Sequence, residues 1–251
     1  MATFNERLAR AFMDEGHEVI LYTFSLQYPS LLFPGKSQYS EEPAPLDLDI
    51  RVRINSINPL NWISCGKELK QLQPDLLIIR YWLPFMSPAL GSIARIVKKN
   101  RHTRVVALTD NIIPHERRTG DSLLTRYFLK SVHAFVYMSE AVGNDLQGFG
   151  IEKQFSQFCP HPLYDNFGAA VPKQEARRQL RLDPDEAIVL FFGFIRPYKG
   201  LDLLMKALND PRLKDIGLRL LVAGEFYEDE KPYKDLEARL DLNERVIWHS
   251  H

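Results

Sequence analysis

The stretch Ile188-Val189-Leu190-Phe191-Phe192-Gly193-Phe194-Ile195-Arg196-Pro197-Tyr198-Lys199-Gly200-Leu201-Asp202-Leu203-Leu204 reads as a strand, a tight loop and a helix start in immediate succession. Five apolar residues in a row, with no polar alternation, suit a strand of a parallel sheet covered on both faces. Gly193 frees the backbone at the strand's carboxyl end, and Lys199-Gly200 stands where the next helix begins. The N–H groups and dipole of a helix start favour an anion, and Arg196 and Lys199 add two formal charges beside it. Cations are better placed at the other end of a helix, so their position points to an anion such as a diphosphate. The plainer reading is an ordinary pair of surface cations.

The same pattern repeats along the chain. Short β-branched or aromatic runs occur at Val19–Phe24, Ile50–Ile54, Asp75–Tyr81, Thr103–Thr109, Ala134–Met138, Lys153–Phe158, Ala187–Phe192, Leu218–Ala223 and Arg245–Trp248, separated by segments of helical period. Alternation of this kind predicts an α/β fold of parallel strands joined by right-handed crossovers. The first helix places Phe4, Leu8, Ala11 and Phe12 on one face, with Glu6, Arg7, Arg10 and Asp14 pointing away and Gly16 at its stop.

Residues 159–173 combine three prolines and a glycine without helical period, which marks an interdomain linker. The expected division is a first Rossmann-like domain at 1–165 and a second at 166–251. A doubly wound domain normally opens with a central strand and a glycine-rich turn before its first helix. Here the first helix begins almost at Met1, and only three strands follow the linker, so the chain reads as truncated at both ends.

The arrangement strand-Gly193-x-x-x-x-x-Lys199-Gly200-x-x-x-Leu204 resembles that of the retaining glycosyltransferase family 4, of two-domain GT-B fold. The first helix looks like the one that follows that family's glycine-rich loop, and Leu108-Thr109-Asp110-Asn111-Ile112-Ile113-Pro114-His115-Glu116 looks like its acceptor-side loop. Val136-Tyr137-Met138-Ser139 is similar to the step before its interdomain crossing. Leu220-Leu221-Val222-Ala223-Gly224-Glu225 and Arg245-Val246-Ile247-Trp248-His249 resemble the next two donor-domain strands. The pattern departs at Phe194, which stands where many members carry arginine, and the family's glutamate pair would lie beyond His251.

The resemblance implies transfer of a sugar from a nucleotide sugar to a hydroxyl with retained anomeric configuration, in synthesis of a polysaccharide or lipopolysaccharide type of glycan. Gly193, Arg196, Lys199 and Gly200 would hold the donor diphosphate, and Glu225 is a further donor-side candidate. His115, Glu116 and Asp110 are the acceptor-side and catalytic candidates, each with a solvated-loop or turn reading beside it. No cofactor or metal is needed, because cations and a helix dipole neutralise the leaving group. Two other classes stay open: a sugar-nucleotide epimerase of the same shape, and a non-catalytic binding module.

Composition limits the partners. Lysine plus arginine (32) equals aspartate plus glutamate (32), which leaves no net field to draw nucleic acid. Cys65 and Cys159 lack metal-site spacing and read as reduced thiols of a cytoplasmic protein. No run reaches the roughly 20 apolar residues of a membrane span. Arg95, Lys98, Lys99, Arg101, His102 and Arg104 bracket a helix end, where cations suit the dipole. The sharper reading is attraction to an anionic inner membrane face carrying a lipid-linked acceptor.

Overall fold

The structure is a computed structural model and describes residues 2–29, 43–114, 116–163, 165, 167–214 and 216–249. These residues form two compact units, 2–29 with 43–163, and 165–249.

In the first unit, helix α1 (Ala2–Asp14) leads through a left-handed Gly16 into strand β1 (Ile20–Leu26), which pairs in parallel with β2 (Asp49–Asn55). Helix α2 (Pro59–Leu72) starts where Asn58 accepts the N–H groups of Leu60 and Asn61 and where Pro59 has no N–H to leave unpaired. A four-stranded parallel sheet follows in the order β3 (Leu76–Tyr81), β4 (Arg104–Thr109), β5 (Ala134–Tyr137), β6 (Ser156–Phe158). Helices α3 (Ser87–Val97), α4 (Asp121–Leu129) and α5 (Glu140–Gly148) make the crossovers. The buried stripe Ala89, Leu90, Ile93, Ala94 and Val97 of α3 joins Ile79, Tyr81, Val105, Ala107 and Phe128 in one core. Each large side chain so buried contributes about 1.5–3 kcal/mol. Tyr81 stacks on Phe128 at 4.2 Å and shares a 2.9 Å hydrogen bond with Ser87, so its polar end is satisfied inside the core.

The second unit contains α6 (Lys173–Gln179), β7 (Ile188–Phe192), α7 (Leu201–Leu208), α8 (Pro211–Lys214), β8 (Arg219–Ala223), α9 (Lys231–Arg239) and β9 (Val246–His249). Its sheet is parallel, in the order β7-β8-β9. Leu201, Met205 and Leu208 of α7 and Leu236 of α9 close over Leu220 and Val222. The molecule is thus α/β with parallel sheets throughout the described residues.

Three local expectations change. Lys153–Phe155 is a 3-10 turn, closed by Phe155 N–H to Glu152 C=O, and only Ser156–Phe158 pairs with β5. Helix α1 buries Phe4 and Ala9 and leaves Ala11 exposed, a rotation that a small side chain's hydrophobicity could not reveal. In β7, Val189 and Phe191 pack into the core, whereas Leu190 and Phe192 on the other face are 56% and 78% exposed. Among the described residues, helices cover this strand on one face.

Candidate functional site

The ends of β7 and β8 are brought together by backbone contact. Gly193 N–H donates to Ala223 C=O, Ile195 N–H to Glu225 C=O and Tyr227 N–H to Ile195 C=O, which carries the parallel pairing beyond both strands. The approach is close enough that a Cβ at residue 224 would stand 2.0 Å from the Gly193 oxygen. Gly193 has φ +105°, and Gly200 has φ +74° as it turns the chain into α7. Gly200 offers no side chain to cap the start of α7, and the Asp202 carboxylate in the first turn interacts with its own N–H and that of Leu203.

Two cations occupy this edge. The Lys199 ammonium folds back over Gly193, 3.3 Å from where a Cβ would be. The Arg196 guanidinium lies over the Tyr227 ring at 3.6 Å. Among the described residues no carboxylate pairs with either, whereas Lys206, in the last turn of α7, pairs with Asp202 at 2.8 Å. That hydrogen bond is the chief reason the Asp202 carboxyl is held below its ordinary range, and it offsets the one acid in the first turn. Gly193, Arg196, Lys199 and Gly200 therefore converge, with Glu225 beside them on the loop after β8. The edge has the positive charge, helix-start N–H groups and open backbone that suit an anion. A shallow cleft of about 410 Å³ adjoins it, lined by Pro197, Asp202, Glu228, Asp229, Pro232 and Tyr233.

The first unit has a separate edge at the carboxyl ends of β3 and β4. Asp110 lies there, in a two-pronged pair with Arg80 at 2.7 and 3.1 Å. The Arg80 face covers the Phe4 ring at 4.2 Å, and a third N–H reaches Asn5. Trp82 donates to the Tyr28 hydroxyl at 2.7 Å, with Phe24 edge-on to it. Glu116 stands in an exposed bend, and His115 lies outside the described residues. The basic cluster after α3 is divided. Arg95 stacks on Tyr127 and donates to the Gly91 and Tyr127 carbonyls, His102 meets Asp75 at 2.9 Å, and Lys99, Arg101 and Arg104 are exposed.

Gly224, Tyr227 and Arg80 are the site-edge residues that sequence reading passed over. Gly224 carried a signal, since it ends an apolar strand just as Gly193 does. Tyr227 and Arg80 carried none, because their roles depend on partners 31 and 30 residues away.

Residues 1–157 match Glycosyltransferase Family 4, and residues 172–251 match Glycosyl transferases group 1. The chain belongs to glycosyltransferase family 4. A 53-residue segment is 47% identical to the D-inositol 3-phosphate glycosyltransferase of Segniliparus rotundus, covering 21% of this chain and 12% of that protein. Among solved structures, Anabaena HepE in complex with UDP and glucose is 18% identical, with a TM-score of 0.62 over 81% of this chain and 56% of that one. Sucrose-phosphate synthase of Thermosynechococcus elongatus is 15% identical, with a TM-score of 0.66 over 98% of this family 4 chain and 63% of its own. WaaG, a glycosyltransferase involved in lipopolysaccharide biosynthesis, gives 15% and 0.59 over 98% and 65%. These likenesses show the GT-B fold class, and the family 4 chain spans somewhat more than half the length of these solved relatives.

Proposed function

We propose that this family 4 chain carries the donor-diphosphate end of a retaining hexosyltransferase that uses a nucleotide sugar. The observation that supports the reading is the edge after β7, where Arg196 and Lys199 stand without an acidic partner among the described residues beside the start of α7. As the bond from the anomeric carbon to the diphosphate oxygen breaks, negative charge grows on the departing group. Fixed cations and N–H dipoles aimed at that charge lower the barrier. In this scheme they do so without a metal. Glu225 would face the donor sugar.

The acceptor is a hydroxyl of a glycan or a lipid-linked glycan precursor. His115 and Glu116 would meet it, with Asp110 holding the ends of β3 and β4 together through Arg80. No described helix is long and apolar enough to cross a membrane. Exposed Lys99, Arg101 and Arg104 would attach the protein peripherally to an anionic inner membrane face.

The test is turnover with a panel of nucleotide sugars, with the anomeric product followed by NMR. Lys199→Ala should lower the rate by about 10²- to 10³-fold, and chelator should leave it unchanged. Near-normal turnover by Lys199→Ala would sink the assignment. Conversion of the nucleotide sugar without acceptor would favour an epimerase.

A further inference from the structure

Arginine presents two different surfaces, a π-face that stacks on aromatics and an in-plane edge of N–H donors that binds oxyanions two at a time. Arg80 uses both within the protein: its face lies on Phe4 and its edge grips Asp110. Arg95 does likewise, with its face on Tyr127 and its edge on two carbonyls. In each case the aromatic ring sets the plane and the oxygen acceptor completes it.

Arg196 repeats the first half of that arrangement. Its face lies on Tyr227 at 3.6 Å, closer than in either other pair, while no described acceptor takes its edge. The loop that carries the ring is tied down. Tyr227 N–H is bonded to Ile195 C=O at 3.2 Å, Phe194 stands edge-on to the ring at 6.1 Å, and Ile195, next to Arg196 in the chain, is 1% exposed. Arg196 has an extended backbone, with φ −137° and ψ 150°, and its side chain reaches the Tyr227 ring.

We propose that Tyr227 is a positioning residue for diphosphate binding: its ring holds the Arg196 guanidinium flat, so that the free N–H edge is presented to the phosphate oxygens beside Lys199. The inference rests on the diphosphate reading above and adds a residue to it. Its chemistry is that of a stacked, half-exposed arginine whose rotamer freedom is spent before the ligand arrives, so less is lost on binding.

Titrating the full chain with inorganic pyrophosphate, followed by ³¹P NMR, separates the possibilities without knowledge of the nucleotide base. Wild type should bind, and Lys199→Ala and Arg196→Ala should each weaken binding. Tyr227→Leu should weaken it about threefold to tenfold, the range of a partly exposed cation–π contact, while Tyr227→Phe stays within about twofold of wild type. Combined with Arg196→Ala, Tyr227→Leu should add no further loss. Arg196→Lys keeps the charge without the planar face and should behave like Arg196→Ala. If Tyr227→Leu is silent, if its loss persists in the Arg196→Ala background, or if Arg196→Lys binds as wild type, the positioning role is overturned while the diphosphate site stands. If wild type fails to bind, or Lys199→Ala changes nothing, the diphosphate reading falls and this inference falls with it.

Discussion

The carbonyl oxygen of Gly193 rests against the α-carbon of Gly224, close enough that a Cβ on residue 224 would come within 2.0 Å of it. Two strand ends meet there backbone to backbone, which lets the loops after β7 and β8 pair as far as Tyr227. Gly224→Ala forces the two apart. The loss should be about 1–3 kcal/mol, the usual cost of overpacking, since the obstacle is backbone with no rotamer to yield. Urea unfolding measures it, and pyrophosphate binding should weaken in step because Arg196 and Lys199 leave the same loop. An unchanged midpoint would show that the loops slide without cost.

Arg80 holds Asp110 in a two-pronged ion pair at the carboxyl ends of β3 and β4. The pair's side chains are only 12% and 17% exposed, and the guanidinium is held by Phe4 and Asn5 as well. Removing one member of such a pair strands the other charge. For fully buried pairs that costs about 3–5 kcal/mol, and the residual exposure here lowers the expectation to about 2–3 kcal/mol. Asp110→Asn should therefore reduce thermal stability by several degrees, and Arg80→Met with Asp110→Leu should recover part of it. Wild-type melting with abolished sugar transfer would instead assign Asp110 to the chemistry.

These two contacts also mark where sequence reading stops. Parallel strands such as Leu76-Leu77-Ile78-Ile79 stand out as unbroken apolar runs, although of these four only Ile79 is fully buried and Leu76 is 44% exposed, and the order of strands and helices then fixes the fold class. The Gly193-to-Lys199-Gly200 spacing exposed half of the cationic edge after β7, since it lies within one strand-loop-helix unit. Tyr227 and Gly224 complete that edge from the next unit, across a sheet register that no local pattern encodes. Arg80 looked like one more strand residue until the structure set it beside Asp110. Lys153–Phe155 shows the converse, a run ending in an aromatic residue that turns before the chain pairs at Ser156.

A pH dependence should follow from His133. Its Nδ1 accepts the Val105 N–H at 2.9 Å, beside the strand that carries Asp110 at its far end. Burial lowers the His133 pKa and the cations Lys98 and Arg104 lower it further, outweighing a smaller opposing effect of the Val105 backbone. A protonated ring would lose the acceptor and gain a charge near two others. Because the folded value lies below the unfolded one, near 6.5, the unfolded chain takes up the proton first. The contribution is therefore fully present above about pH 6.5 and is lost as pH falls through the folded value. Melting temperature recorded from pH 8 to pH 5 should decline below about 6.5 in the wild type. His133→Asn, which keeps an acceptor oxygen and cannot titrate, should flatten that decline. Parallel curves for the two proteins would show that the stability change comes from another group.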